Sequence, residues 1–437
     1  MKDENNLFIQ NGRVVDPAQD LDAVASVLIL NGKVAEIRKG PDAAVKAPEG
    51  VPVLDARGKI VCPGFIDMHV HLREPGFEHK EDIASGTRAA ARGGFTSVAC
   101  MPNTSPVIDN SGIVDLIEHK SRLVGLVNVF PVGAATLGMK GEELANTGEL
   151  VEAGAVAISD DGFPIQSNYI MRRVLEYASM FGISVISHPE DTNLSAEGVM
   201  HEGYYSTLLG LKGIPAASEE VAIARDIILS EMTGTPVHIA HVSTAGGVRM
   251  IQAAKERGVK ITAEATPHHF SLTDAFLVSY DTNLKMKPPL RSESDAETIK
   301  EGLKDGAIDC IASDHAPHSE NEKQVEFDKA PFGIIGLETA LSVTLDKLYH
   351  TGILSLRQVV EKLSINPARI LRLASKGSLK AGADGDVTIL DLDRQVTIDP
   401  HTFASKSRNT PFAGWTLKGA PAATIVSGKI VFKACEG

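Results

Sequence analysis

Two histidines separated by one residue, His69 and His71, directly follow a short apolar run at 65–68. If that run is a β-strand, residues two apart point to the same side, and both imidazoles can reach one metal ion. Neutral imidazole is a common ligand of zinc and similar divalent metals. The pair therefore predicts a metal site, although a His-x-His pair is a weak signal in a chain with 14 histidines.

Aspartates and further histidines follow other apolar runs in the same way, at Asp160, Asp161, His188, His241 and Asp314, with His315 and His318 just after the last of these. Burying so many ionisable groups together without a metal would be costly. Six candidate ligands remain when one of the two adjacent aspartates is counted and His315 and His318 are set aside. Six are more than one tetrahedral ion requires, which favours two zinc ions per subunit that share a bridging ligand. Two such ions would activate a water molecule and polarise a carbonyl, and both effects suit attack on an amide.

The elements that must position these residues alternate along the middle of the chain. Helix-like stretches, such as the alanine-rich segment 80–92 that ends at Gly93-Gly94, separate apolar runs of strand length. The runs lie at 65–68, 96–99, 127–130, 155–158, 183–186, 237–240, 261–264 and 308–311. Eight strands alternating with helices predict an α/β fold, a (β/α)8 TIM barrel, with its active site at the carboxyl ends of the strands. An open doubly wound sheet is the alternative, but no GxGxxG motif follows the first run.

Both ends of the sequence differ in pattern from the middle, because they contain short β-segments separated by tight turns. Asn11-Gly12, Asn31-Gly32 and Ser427-Gly428 each lie between apolar runs, a pattern that favours hairpin turns. We expect the two ends to form one composite β-sandwich. The predicted domains are therefore residues 1–60 as the first part of the β-sandwich, 61–366 as the metal-dependent barrel, and 367–437 as the second part of the β-sandwich.

Composition narrows the function classes. The formal net charge of −13 argues against a nucleic acid or an anionic membrane as a partner, because both require a basic face. No apolar run approaches the length of a membrane span, and the polar N-terminus lacks the features of a signal peptide. The four cysteines are far apart, which predicts reduced and mostly buried thiols. We therefore expect a cytoplasmic protein with a small-molecule substrate.

The motifs around these residues resemble those of the dihydroorotase family within the amidohydrolase superfamily. The segment 67–76 (DMHVHLREPG) resembles the family's barrel-entry motif, and 100–104 (CMPNT) resembles its second-strand motif. The segments 159–162 (SDDG), 188–191 (HPED), 241–244 (HVST) and 313–318 (SDHAPH) also fit. The likeness covers nearly the whole chain, and the extended motifs are far more specific than His-x-His alone.

The resemblance implies an activity and a role for each matching residue. It implies reversible cyclisation of N-carbamoyl-L-aspartate to L-dihydroorotate in pyrimidine (UMP) synthesis, with Asp314 as the general acid and base. Two zinc ions would be held by His69, His71, Asp161, His188, His241 and Asp314, with Asp161 as the bridge. The substrate would be bound by Arg73, Asn103, His318, Phe332 and Gly333, and Arg73 suits its carboxylate because the guanidinium fork matches two oxygens.

Several alternatives stay open at the level of sequence. Arg73 could form a surface ion pair, and Asn103 could cap the next helix. The polar segment 318–332 could be a solvated loop or a mobile lid over the metals. The choice of Asp161 over Asp160 as the bridge rests on the resemblance, in which many superfamily members have a carboxylated lysine instead. Lys287 stands where the family often has an asparagine, and its role is left open.

Two other functions compete with this interpretation. A hydantoinase or allantoinase would share the metal site, but the resemblance implies that it would lack the combination of Arg73 and Asn103. A non-catalytic partner of aspartate transcarbamoylase would be expected to have lost metal ligands, and all six are present. Association with aspartate transcarbamoylase and a homodimer are both compatible with the sequence.

Overall fold

The structure is a computed structural model that describes residues 5–39 and 47–435. The first five strands precede the predicted barrel: β1 (Leu7–Asp16), β2 (Leu21–Leu30), β3 (Lys33–Lys39), β4 (Val53–Asp55) and β5 (Ile60–Pro63). The middle of the chain contains β6 (Phe65–Val70), β7 (Phe95–Cys100), β8 (Asn128–Ala134), β9 (Ala157–Ser159), β10 (Ser184–Ser187), β11 (Met200–His201), β12 (Gly213–Ile214), β13 (Val237–Ile239), β14 (Ile261–Ala265) and β15 (Cys310–Ile311). Three strands follow: β16 (Val387–Thr397), β17 (Thr416–Val426) and β18 (Lys429–Lys433).

Helices lie between the strands of the middle region. Across the described residues the α-helices are α1 (Ile83–Arg92), α2 (Ser111–Val124), α3 (Thr147–Glu152), α4 (Asn168–Phe181), α5 (Thr192–Ser195), α6 (Tyr204–Leu209), α7 (Ala217–Thr233), α8 (Ala245–Glu256), α9 (Pro267–Ser271), α10 (Glu293–Asp305), α11 (Glu320–Lys323), α12 (Ala340–Thr344), α13 (Leu356–Val360) and α14 (Asn366–Ile370). Two π-helical turns, Leu345–Tyr349 and Glu361–Ile365, continue α12 and α13. None of the helices described is both long and apolar enough to cross a bilayer.

Eight parallel strands form the barrel, in the order β6-β7-β8-β9-β10-β13-β14-β15. A bridge between Val70 and His315 joins the last strand region back to the first and closes it. All six residues of β6 and of β7 are buried, as expected when helices cover a parallel sheet on one face and side chains fill the barrel on the other. The prediction of a (β/α)8 barrel is confirmed.

The two ends of the chain meet in a second sheet, with the order β18-β17-β16-β5-β1-β2-β3 and β4 paired to β1. β5 is parallel to β1 and antiparallel to β16, so it links the two parts. A composite β-domain from both ends of the sequence is therefore present. Boundaries at residues 60 and 366 stay predictions, and β5 runs across the first of them.

The turn predictions have different outcomes. Asn31-Gly32 and Ser427-Gly428 form two-residue hairpins with positive φ at both positions, as predicted. The prediction at Asn11-Gly12 is wrong, because β1 continues through it and the pairing with β2 shifts register there. Asn11 has a φ of 65°, so the left-handed conformation that suits a hairpin instead produces a β-bulge.

Candidate metal centre and active site

The predicted metal ligands come together at the carboxyl ends of five barrel strands. His69 is in β6 and His71 directly follows it, whereas the others lie one to three residues beyond β9, β10, β13 and β15: Asp161, His188, His241 and Asp314. Each of these six side chains is buried. Parallel strands that close into a barrel place all such residues on one rim, which explains why separate segments of sequence form a single site.

Asp161 lies between two pairs of histidines. Its Oδ2 atom is 3.4 Å from Nε2 of His69 and 3.5 Å from Nε2 of His71. Its Oδ1 atom is 3.2 Å from Nδ1 of His188 and 3.5 Å from Nε2 of His241. The donor atoms therefore form two groups of metal-binding geometry, and Asp161 belongs to both of them.

The positions of the buried histidine nitrogens suit binding to metal ions better than hydrogen bonding between the rings. Nε2 of His69 is buried and has no hydrogen-bond partner among the described residues. Nδ1 of His188 lies 2.9 Å from Nε2 of His241. Imidazole nitrogens that converge on a carboxylate are the donor set that zinc prefers, so the residues fit the metal centre that the sequence predicts.

The other ring nitrogens of three histidines contact groups outside the centre. Nδ1 of His69 donates to Oε1 of Glu264 at 2.6 Å, and Nδ1 of His71 donates to Oδ1 of Asn103 at 2.8 Å. Nε2 of His188 lies 3.2 Å from Oε2 of Glu190. Such contacts fix the tautomer and the ring orientation, so that the opposite nitrogen presents its lone pair to a metal.

Sequence reasoning missed Glu264 and Glu190. A signal existed for Glu264, because it lies near the end of β14, as the predicted ligands do on their strands. Burial favours its neutral form, but His69 and His238 outweigh this and lower the pKa of the Glu264 carboxyl to about 2. Glu264 is therefore a carboxylate at neutral pH.

We expect Glu264→Gln to weaken binding of a metal at His69 about 10- to 100-fold, because the neutral amide orients the imidazole less well and makes it less basic. The measurement is a zinc titration in competition with a chromophoric chelator. Unchanged zinc affinity with unchanged thermal stability would show that Glu264 has no part in orienting His69.

The two adjacent aspartates after β9 have different surroundings. Asp160 accepts hydrogen bonds from the backbone N–H groups of Ala135 and Thr136, at 2.9 and 3.0 Å, and from the Thr136 hydroxyl. Burial raises the pKa of the Asp160 carboxyl to about 6. Asp160 thus stabilises the neighbouring loop, whereas Asp161 faces the histidines.

The surroundings of Asp161 and Asp314 stabilise the ionised form of their carboxyl groups. Burial opposes the ionisation of Asp161 and Asp314, but the nearby histidines hold the pKa of both carboxyls well below the usual value. Burial lowers the pKa of His188, but its contacts with Asp161 and Glu190 outweigh burial and raise that pKa to about 9. A divalent cation would take the place of the histidine protons beside these carboxylates, because an imidazole must be neutral to bind a metal.

Three residues of the site adopt left-handed backbone conformations that side chains other than glycine rarely take. The φ angles are 61° at Arg73, 34° at His241 and 48° at Asp314. Such conformations cost free energy and concentrate where a side chain must point in a particular direction. In Asp314 this conformation accompanies a contact of 3.1 Å between Oδ1 and Nε2 of His71.

A cavity of about 470 Å³ opens above the centre. Ten of the eleven predicted site residues line it, and His69 lies deeper: His71, Arg73, Asn103, Asp161, His188, His241, Asp314, His318, Phe332 and Gly333. Lys287 also lines the cavity, and its ammonium lies 2.7 Å from Oε1 of Glu190. Phe77, Lys80 and Phe163 line it as well and were missed.

The predicted substrate-binding residues have partners within the protein. Nε of Arg73 donates to the carbonyl of Pro317 at 3.1 Å, and its two terminal amino groups have no hydrogen-bond partner within residues 5–39 and 47–435. Burial lowers the pKa of Arg73 to about 10, so it stays charged at neutral pH. Asn103 caps no helix, because Asn110 is the N-cap of α2. Nε2 of His318 donates to the carbonyl of Phe332 at 2.9 Å.

Comparison with known proteins first gives the class. A family model described as dihydro-orotase-like matches residues 58–246, and one described as amidohydrolase family matches residues 222–432. An L-hydantoinase from Arthrobacter aurescens has a TM-score of 0.88 and 27% identity, with 99% of this chain and 97% of that chain covered. A dihydropyrimidinase from Brevibacillus agri has a TM-score of 0.84 and 25% identity, with 98% and 95% covered. The barrel, the composite β-domain and the groups of histidines and aspartate that could hold a metal are those of an amidohydrolase.

Full-length relatives then give the family. A dihydroorotase from Pelotomaculum thermopropionicum is 58% identical over 98% of both chains. A dihydroorotase from Geobacter metallireducens is 56% identical, over 98% of this chain and 100% of its own. The chain therefore belongs to the dihydroorotase family.

Proposed function

We propose that this chain catalyses the reversible cyclisation of N-carbamoyl-L-aspartate to L-dihydroorotate at two zinc ions. The observation that carries the proposal is Asp161, whose two oxygens face two separate pairs of histidines. The identity to dihydroorotases is about twice the identity to the hydantoinase named above, which supports dihydroorotate over other cyclic amides.

The chain supplies two sets of metal ligands in this proposal. His69 and His71 bind the first ion with Asp314 beside them, and His188 and His241 bind the second. Asp161 would contribute to both sites, because it belongs to both groups of ligand atoms. The ions, when bound, lower the pKa of a water molecule and polarise the amide carbonyl.

Asp314 transfers the proton. Its carboxylate is ionised at neutral pH, because the neighbouring histidines lower its pKa, and it can accept a proton from the attacking water. As the amide bond breaks, the same carboxyl donates that proton to the ring nitrogen. Ring closure runs through the same transfers in reverse.

Arg73, Asn103 and His318 bind the substrate carboxylate, while Phe332 and Gly333 form a wall of the cavity. The free terminal amino groups of Arg73 match two carboxylate oxygens. The amide nitrogen of Asn103 remains available as a donor, since its oxygen accepts from His71. The Nε2–H of His318 donates to the Phe332 carbonyl at 2.9 Å, which orients the imidazole at the cavity.

We expect Arg73→Ala to raise KM for L-dihydroorotate about 10- to 100-fold, because a charge-assisted hydrogen bond contributes about 1.5–3 kcal/mol. Steady-state kinetics and zinc content by atomic absorption check this. Zinc should stay at the wild-type level, and its loss would contradict the assigned role.

The test of the proposed function is hydrolysis of L-dihydroorotate by the purified chain, with hydantoin and allantoin as alternative substrates. A chelator should abolish dihydroorotate turnover, and zinc should restore it. Turnover of hydantoin or allantoin alone would reassign the chain to another cyclic amidase. Metal-loaded protein with no turnover of any ring would favour a non-catalytic role.

The proposed setting is the cytoplasm, in the pyrimidine pathway. We propose a homodimer, and a possible association with aspartate transcarbamoylase follows from the family resemblance. Size-exclusion chromatography with light scattering, alone and with aspartate transcarbamoylase, tests both.

A further inference from the structure

Two lysines beside the cavity are buried, which is rare for this residue type. Lys285 is 2% exposed and Lys323 is 5% exposed. Lys285 lies between α9 and α10, and Lys323 is the last residue of α11. Lys323 belongs to the segment 319–333, and Lys285 contacts this segment from outside. We name it the wall segment because it carries Phe332 and Gly333.

The ammonium groups of both lysines donate to carbonyl oxygens of the wall segment. Nζ of Lys323 donates to Pro331 at 2.9 Å. Nζ of Lys285 donates to Phe327 at 2.8 Å and to Asp328 at 3.0 Å. These bonds hold together parts of the segment that are several residues apart.

The same two lysines are connected to the cavity. Nζ of Lys285 lies 4.7 Å from the ring centroid of Phe332, a cation–π contact. The backbone N–H of Gly333 donates to the Lys285 carbonyl at 3.0 Å. The Phe332 carbonyl in turn accepts from Nε2 of His318, so the position of the wall fixes the orientation of that imidazole.

Burial of these ammonium groups costs free energy. It lowers the pKa of Lys285 to about 8 and the pKa of Lys323 to about 7. An apolar side chain of similar length would fill the same space without the desolvation penalty. The lysines therefore do more than fill space: they hold the carbonyl oxygens of Phe327, Asp328 and Pro331 in place.

We propose that Lys285 and Lys323 are positioning residues, which fix the wall segment and thereby the Phe332 carbonyl and His318 for substrate binding. This inference rests on the proposed function, because it assigns the effect to affinity for dihydroorotate. The contacts of the two lysines make the wall segment a fixed part of the site in the substrate-free enzyme.

The test compares Lys323→Met and Lys285→Met with Lys329→Met, in the full zinc-loaded chain. Lys329 belongs to the same segment but is exposed and pairs with Glu326. We expect both buried-lysine variants to raise KM for L-dihydroorotate about tenfold, with kcat and zinc content near wild type, whereas Lys329→Met changes none of these. The apolar replacement removes a desolvation cost but also removes the donor to the carbonyls of the wall segment, so thermal stability should stay near the wild-type level.

Limited proteolysis with a glutamate-specific protease gives a readout that does not depend on activity. The wall segment contains Glu320, Glu322 and Glu326, and Lys323 directly follows Glu322. Cleavage is therefore followed after Glu320 and Glu326, whose neighbouring residues the lysine substitutions leave unchanged. Cleavage there should be faster in Lys323→Met than in Lys329→Met. If wild type fails to hydrolyse dihydroorotate, the proposed function fails, and the proteolysis comparison still decides whether the lysines hold the segment.

A milder variant covers the case in which a lysine variant does not fold. The Thr282 hydroxyl donates to the backbone carbonyl of Lys323 at 2.6 Å. Thr282→Val removes this bond and so loosens the position of Lys323 without removing its charge. It should raise KM and the cleavage rate in the same direction, by less. The proposal is overturned if the buried-lysine variants match Lys329→Met in both KM and cleavage.

Discussion

An Asp314→Asn variant is expected to keep its fold and its zinc but to lose turnover of L-dihydroorotate by about 10²- to 10⁴-fold. The amide has nearly the same shape and can still contact His71, but it cannot accept a proton from water or return one to the ring nitrogen. The measurements are kcat in both directions, zinc content and circular dichroism.

A matched control lies at the opposite end of the same strand, β15. Asp309 precedes β15 and accepts from Lys255 at 2.6 Å, away from the cavity. Asp309→Asn should leave kcat at the wild-type level, because a partly exposed ion pair contributes little. Substantial turnover by Asp314→Asn would remove Asp314 as the proton carrier, and loss of zinc from it would show a ligand role instead.

Asp161→Ala should have the largest effect on metal content, with loss of zinc from both positions and loss of all zinc-dependent turnover. It removes one oxygen from each ligand group and with it the carboxylate that lies between the two pairs of histidines. Zinc per chain, measured by mass spectrometry under non-denaturing conditions, checks this. Retention of one zinc would show that one pair of histidines binds without the shared carboxylate.

The neighbouring residue provides the contrast. Asp160→Asn should retain zinc, because Asp160 bonds to Ala135 and Thr136 and not to the histidines. It should instead lower the free energy of unfolding by about 1 kcal/mol, since a buried hydrogen bond is weakened. If zinc is lost from Asp160→Asn but kept by Asp161→Ala, the proposed bridge is assigned to the wrong aspartate.

The barrel could be predicted because its strands are short segments rich in apolar residues, separated by helix-like stretches. In β6, for example, burial on both faces leaves the complete run Phe65–Val70 apolar except for Asp67 and His69. The composite β-domain was also predictable, since tight turns such as Asn31-Gly32 have local chemistry that suffices for a hairpin. Asn11-Gly12 has the same chemistry, and only the pairing of β1 with β2 decides that it forms a bulge.

The site was predictable where strand ends alone determine the position of a residue, and less so where distant segments meet. Glu264 contacts His69 although the two residues are 195 positions apart in the sequence, and no local sequence pattern predicts that contact. The distinction between Asp160 and Asp161 depends on the loop at Ala135 and Thr136. The burial of Lys285 and Lys323 depends on the path of the wall segment, which sequence periodicity does not reveal.

The composite sheet affects how the protein folds while it is being translated. β5 is paired on one side with β1 and on the other with β16, and the residues that form β16 leave the ribosome only after the whole barrel has been made. Until then, β5 presents an open edge to which a strand from another nascent chain can add. We therefore expect a chain that stops before residue 387 to aggregate even though its barrel strands are all present, and newly made protein to depend on chaperones until translation is complete.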